Sequence, residues 1–211
     1  MVKMQEIAEN LISGKAPKVK ELVQQALNEG TPSGQILKEG LIAGMNVVGT
    51  KFKANEFYIP EVLIAARAMK TAMEILKPLL SKTGVKPVAR FAIGTVKGDL
   101  HDIGKNLVAM MMEGAGFEVV DIGIDVSPDK FISIIKEKQP QILGMSALLT
   151  TTMPAIKTTI DALKSAGLKN NVKIMIGGAP ITESFSREVG ADGYAGDAAS
   201  AVDKAKELLK I

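Results

Sequence analysis

Along the first part of the chain, apolar residues recur every three or four positions. Val19, Leu22, Val23, Ala26 and Leu27 form one stripe, and Val62, Ala65, Ala66, Met69, Ala72, Met73 and Leu76 form another. That repeat lays one face of a helix against a core, and it predicts helices at about 3–13, 17–28, 32–50 and 60–80. Thr31-Pro32 reads as an N-cap with proline at the first helical position, and Ile59-Pro60 opens the longest helix in the same way. Past the polar stretch Ser81–Lys86 the pattern changes. Short β-rich runs, Val88–Ile93, Glu118–Ile122, Ile142–Ser146, Val172–Ile176 and the weaker Gly193–Ala195, alternate with amphipathic segments.

Strands that read as near-continuous apolar runs, joined by connections too long for hairpins, predict a parallel sheet covered on both faces. The expected architecture is α plus α/β: a four-helix bundle at 1–82, a linker at 83–87, and a doubly wound five-stranded parallel sheet at 88–211. For five strands the common order is 2-1-3-4-5, with the ligand crevice at the carboxyl ends of strands 1 and 3, where the winding reverses.

Composition narrows the chemistry. The 211 residues are 46% hydrophobic and 23% charged, with a net charge of +3, the balance of an ordinary globular chain without a basic groove for nucleic acid. The chain has no cysteine, which excludes disulfides, thiolate metal sites and thiol nucleophiles and fits a reducing cytoplasm. No apolar run is long enough for a membrane span, and the first ten residues lack a signal-type segment.

Three segments fall on the expected ligand edge: Gly94 to Asn106 after strand 1, Ser146 to Thr152 after strand 3, and Gly177-Gly178-Ala179-Pro180 after strand 4. The first carries His101, the only histidine in the chain, two residues after Asp99. A carboxylate accepting from one ring nitrogen would fix the tautomer and leave the other nitrogen for a metal or a proton. With one histidine and no cysteine, a zinc site held by protein alone would need several clustered carboxylates, and none presents itself. A metal already held in a macrocycle needs only one more ligand. Gly94, Gly98 and Gly104 have neither phosphate-loop spacing, and a phospho-acceptor receiver domain would want an acceptor aspartate where strand 3 ends in Ser146. Gly177-Gly178 is either a simple turn or a place where a flat group approaches the backbone closely.

Taken together, Asp99-Leu100-His101-Asp102-Ile103-Gly104, then Ser146-Ala147-Leu148, then Gly177-Gly178 resemble the cobalamin-binding domains of corrinoid-dependent methyl-transfer proteins. The first half is similar to their helical cap, through Met45 to Gly49, Phe52 and Phe57 to Val62. The resemblance implies a corrinoid cofactor cycling between Co(I) and methyl-Co(III), with His101 as the lower axial ligand of cobalt in place of the cofactor's own base. It implies that Asp99 and Thr152 form a relay behind His101, with Gly98, Asp102, Ile103 and Gly104 completing the loop. Ser146, Leu148 and Thr150 would line the pocket for the displaced tail, and Gly177 and Gly178 would leave it room. Phe52, Ile59 and Val62 would cover the methyl-bearing face. At 211 residues there is no room for a barrel of roughly 250 residues such as usually houses the methyl donor or acceptor. The resemblance therefore implies a carrier, whose partners are a substrate-specific methyltransferase, a second one serving tetrahydrofolate or coenzyme M, and a reductive activase. The competing readings are a module of an adenosylcobalamin mutase and a B12-sensing regulator.

Overall fold

The computed structural model describes residues 2–211. The chain divides into two compact units, 1–88 with 114–116, and 89–113 with 117–211.

The first unit is helical, with Met4–Ile12, Ala16–Asn28, a composite helix over 33–53, and Ile59–Thr83. Pro32 stands at the N-cap and not at the first helical position, because the Thr31 N–H turns back to the Ala26 carbonyl (2.9 Å) and closes the preceding helix. The composite helix opens with one α turn, loosens into a π-helical stretch over Ile36–Ile42 and resumes as α at Ala43–Lys53. The long helix begins where the Tyr58 N–H donates to the Glu61 carboxylate (2.9 Å), which satisfies one of the orphan donors at a helix start. It continues through Ser81, Lys82 and Thr83, so the polar stretch Ser81–Lys86 is helical over its first half, and of the linker expected at 83–87 only Thr83 belongs to the helix. Gly84, at φ 72°, ends the helix in a left-handed turn.

The second unit is a five-stranded, all-parallel sheet in the order β2-β1-β3-β4-β5, with β1 Arg90–Val96, β2 Glu118–Val126, β3 Ile142–Ser146, β4 Lys173–Gly177 and β5 Gly193–Tyr194. Its α-helices are Ile103–Gly114, Pro128–Lys138, Met153–Ser165, Glu183–Val189 and Ala198–Leu209. Strand number, direction and order match the pattern-based expectation. Two strands run further than expected. Gly94, Thr95 and Val96 are buried strand residues and not loop. A Cβ at Gly94 would press on the Phe131 ring (3.1 Å), so this glycine makes room for core packing and does not mark a turn. β2 continues from Ile122 to Val126 through two irregularities in its pairing with β1. The core holds Ala92, Val96, Phe131, Leu143, Ile156 and Ile174, all nearly or fully buried.

Registers Thr95↔Ser146 and Ser146↔Gly177 bring the ends of β1, β3 and β4 level. The loops that follow therefore open on one edge, where β1 lies between β2 and β3 and the winding reverses.

Candidate functional site

Asp99 is the centre of that edge. Its side chain is fully buried, and both carboxylate oxygens are occupied. Oδ1 accepts from the His101 backbone N–H (3.0 Å) and lies 2.7 Å from His101 Nδ1. Oδ2 accepts from the Leu148 N–H (2.8 Å) and from the Thr152 hydroxyl (2.7 Å). Burial pushes the Asp99 carboxyl up. The donors from Thr152, His101 and Leu148 outweigh it and hold the group well below the usual carboxylate range. Asp99 is thus an anion, and Nδ1 must be the protonated ring nitrogen. The Thr95 hydroxyl, at the end of β1, donates to the His101 carbonyl (2.9 Å) and fixes the same residue from behind.

The His101 side chain is about half exposed. With Nδ1 committed to Asp99, Nε2 is the nitrogen available to a ligand. Among the described residues no three His, Asp or Glu side chains could hold a metal ion together. A metal bound by His101 must therefore bring its other ligands with it. Leu100 and Ile103 flank the histidine in sequence, Leu148 and Leu149 follow β3, and all four are exposed. The two loops that hold the Asp99–His101 pair thus both present exposed apolar side chains.

The other expected residues take their places as follows. Gly98 donates its N–H to Asp125 (2.8 Å). Asp102 is exposed and holds Asn106, both through its carbonyl (2.7 Å) and through its carboxylate (3.0 Å). Gly104 faces open space. Ser146 is half-buried at the end of β3, and Thr150 is exposed. Gly177 is the last residue of β4, paired with Ser146, and Gly178 follows it. A Cβ on Gly178 would sit 1.9 Å from the Ala147 carbonyl oxygen, and its φ is 135°. The structure thus gives this glycine a reason of its own: two loop backbones touch there. Phe52, Ile59 and Val62 belong to the helical unit, where Val62 is fully buried, Phe52 half-buried and Ile59 exposed.

Thr95, Leu100, Lys105, Leu149 and Asp125 were not anticipated. Lys105 is buried in the first turn of Ile103–Gly114, with its Nζ 2.6 Å from both carboxylate oxygens of Asp121 on β2.

This is a doubly wound cofactor-binding unit that presents one oriented imidazole on an apolar edge, the donor arrangement that suits a metal carried in a macrocycle. Family comparison agrees: a model described as a B12 binding domain matches residues 89–204, and a second of the same description matches residues 4–77. The chain belongs to the corrinoid proteins of the B12-binding family, and its cofactor is a cobalamin or related corrinoid. It is 45% identical over 206 residues to dimethylamine corrinoid protein 3 of Methanosarcina acetivorans, covering 98% of this chain and 96% of that protein. It is also 45% identical to the dimethylamine corrinoid protein of Methanosarcina barkeri, covering 98% and 97%. A cobalamin-binding protein from Desulfitobacterium hafniense superposes with a TM-score of 0.81 at 33% identity over 99% of each chain. The methanol:cobalamin methyltransferase complex of Methanosarcina barkeri gives 0.86 at 29% identity, covering 97% of this chain and 78% of that one. No helix among the described residues is long and apolar enough to cross a membrane.

Proposed function

We propose that this corrinoid protein of methyltransferase systems binds its cofactor with the intrinsic base displaced and His101 on the metal. In that state it carries methyl groups between two cytoplasmic enzymes, a substrate-specific methyltransferase and one serving tetrahydrofolate or coenzyme M, with a reductive activase restoring it. The carrying observation is the buried Asp99 carboxylate 2.7 Å from Nδ1 of a half-exposed imidazole.

When bound, the corrin supplies a cobalt centre that takes up a methyl group and passes it on. The chain's residues orient and shield. Asp99 keeps the proton on Nδ1, so Nε2 keeps its lone pair for ligation. Thr152 and the Leu148 N–H hold the carboxylate, and Thr95 holds the His101 backbone. Gly98, Asp102, Ile103 and Gly104 shape the loop around the histidine. Ser146, Leu148, Thr150 and Gly177-Gly178 form the rim for the displaced base; Phe52 and Ile59 of the helical unit would cover the methyl-bearing face, and the fully buried Val62 would support them from within that unit. Dimethylamine, named in the relatives' names, identifies the first donor system to try.

The test is reconstitution with hydroxocobalamin and comparison of visible spectra for the wild type and His101→Ala. A spectrum that changes in the variant, together with methyl uptake from a dimethylamine-specific methyltransferase in the wild type, supports the reading. A bound corrinoid with identical spectra in both proteins overturns it.

A further inference from the structure

The end of β2 is irregular where it passes the histidine loop. Its register with β1 runs Ile93↔Asp121, Gly94↔Gly123 and Val96↔Val126, so β2 carries extra residues at two points. Bulges of this kind commonly lie beside functional sites and re-aim a side chain. At the second of them Asp125 adopts φ 51°, in the left-handed region that non-glycine residues rarely enter. Such a conformation persists where the surroundings over-determine it.

The surroundings of Asp125 are the three residues that lead into the site. Its backbone N–H donates to the Asp99 carbonyl (3.0 Å), Oδ1 accepts from the Gly98 N–H (2.8 Å), and Oδ2 takes the Lys97 ammonium (3.0 Å). One residue therefore grips Lys97, Gly98 and Asp99 in succession, using both main chain and side chain. The Asp99 carboxylate points the other way, to His101, Leu148 and Thr152. Asp99 is thus held through its backbone from β2 and through its side chain from the loop after β3. Apart from the turn bond from the Asp99 N–H to the Val96 carbonyl (3.1 Å), the backbone half is held from β2 and not by the relay itself.

We propose that Asp125 is a positioning residue for His101: its carboxylate locks the 97–99 turn so that Asp99 meets Nδ1 and Nε2 stays available for ligation. The proposal deepens the His101-ligated reading and rests on it for its functional consequence. Its structural core, the tautomer of His101, can be measured without the cofactor.

Because the chain has one histidine, ring ¹⁵N signals of the histidine-labelled apoprotein report His101 alone. The wild type is expected to show the Nδ1–H tautomer. Asp125→Gly keeps the left-handed backbone and its N–H to Asp99 but deletes both carboxylate bonds, and is expected to give a mixture of tautomers. Asp125→Asn keeps an acceptor for Gly98 and loses the Lys97 pair, and is expected to fall between. With hydroxocobalamin, the Gly variant should bind about 10-fold more weakly, in line with losses seen when groups supporting a metal ligand are removed.

A merely structural contribution would lower the thermal midpoint and leave the tautomer of the folded protein unchanged. A wild-type tautomer in Asp125→Gly therefore overturns the proposal. Where that variant does not melt cooperatively, a wild-type tautomer in Asp125→Asn does the same. A tautomer shift in the apoprotein alongside a wild-type cobalamin spectrum that is insensitive to His101→Ala would uphold the positioning role and remove the ligation reading instead.

Discussion

The two units bury different things. In the helical unit Ser33 is the only buried polar residue among those described, and the rest of its buried set is apolar. The α/β unit buries Thr95, Asp99, Lys105, Thr152, Thr159 and Ser186. Thr159 returns its hydroxyl to its own helix at the Ala155 carbonyl (2.8 Å), and Lys105 is paired to Asp121. Thr95 and Asp99 bond to His101, and Thr152 bonds to Asp99 behind it. An apolar core asks for volume and accepts many residues that supply it. A buried polar cluster asks for particular donors and acceptors, and each missing partner strands another group. Substitutions in the two units should therefore fail in different ways.

Gly178→Ala should have the largest effect. The new Cβ would lie 1.9 Å from the Ala147 oxygen, and φ 135° is unfavourable for any side chain, so a loss of about 3 kcal/mol or more is expected. Denaturant unfolding checks it. An unchanged midpoint would mean that the loop after β3 moves aside freely, and the contrast between a tolerant and an exacting unit would weaken.

A matched pair sharpens the contrast further. Leu76→Ala, at a fully buried position of the long helix, should cost about 3 kcal/mol by leaving a cavity, with the corrinoid spectrum of the folded protein unchanged. Asp99→Asn should cost a similar amount, about 2–3 kcal/mol, and lower corrinoid affinity about 10- to 100-fold. The asparagine amide cannot avoid a clash. One orientation sets its NH₂ against the Leu148 N–H and the other against the His101 N–H. Equal spectral change in both variants would erase the distinction.

Acid should reveal the same carboxylate. A group whose folded value is depressed contributes stability that is complete above its unfolded value and disappears as pH falls toward the folded one. Asp99 is held well below the usual carboxylate range, and unfolded aspartate titrates at about 3.9. The stability gap between wild type and Asp99→Asn should narrow as pH falls below about 5. Urea midpoints across that range measure it, and a gap already closing at pH 6 would contradict the assignment.

How much of this could be seen beforehand follows from what leaves a trace in residue type. The alternation of apolar runs with amphipathic segments carried the strand order, because parallel strands covered on both faces have few other arrangements. Asp99, His101, Ser146 and the glycine pair could be picked out because they stand at or just beyond the ends of strands on the ligand edge. Asp125 and Asp121 could not. Gly123 and Asp125 look like strand breakers and are bulge residues inside β2. The Leu148 N–H that holds Asp99 belongs to the backbone and has no signature in any side chain. The π-helical stretch Ile36–Ile42 reads as an ordinary helix, since a change of one residue in hydrogen-bond span barely shifts the apolar period.

The smallest effect expected is at Thr152, and it tests whether the relay needs a hydroxyl or only a shape. The Thr152 oxygen lies 2.7 Å from Asp99 Oδ2 and 2.9 Å from the Leu149 carbonyl, and it has one proton to give. The charged acceptor takes it, because hydrogen bonds to an ion are the stronger ones. Thr152→Val keeps the volume and removes the donor, leaving Oδ2 with the Leu148 N–H alone; about 1–2 kcal/mol should be lost. Thr152→Ser keeps the donor and drops only a methyl group, and should melt within about 1 kcal/mol of wild type. The two variants should also separate spectroscopically, with the cobalamin spectrum moving in Val and holding in Ser. If they instead lose equal stability and leave the spectrum alone, Thr152 acts through its packing at the start of Met153–Ser165, and the relay ends at Asp99.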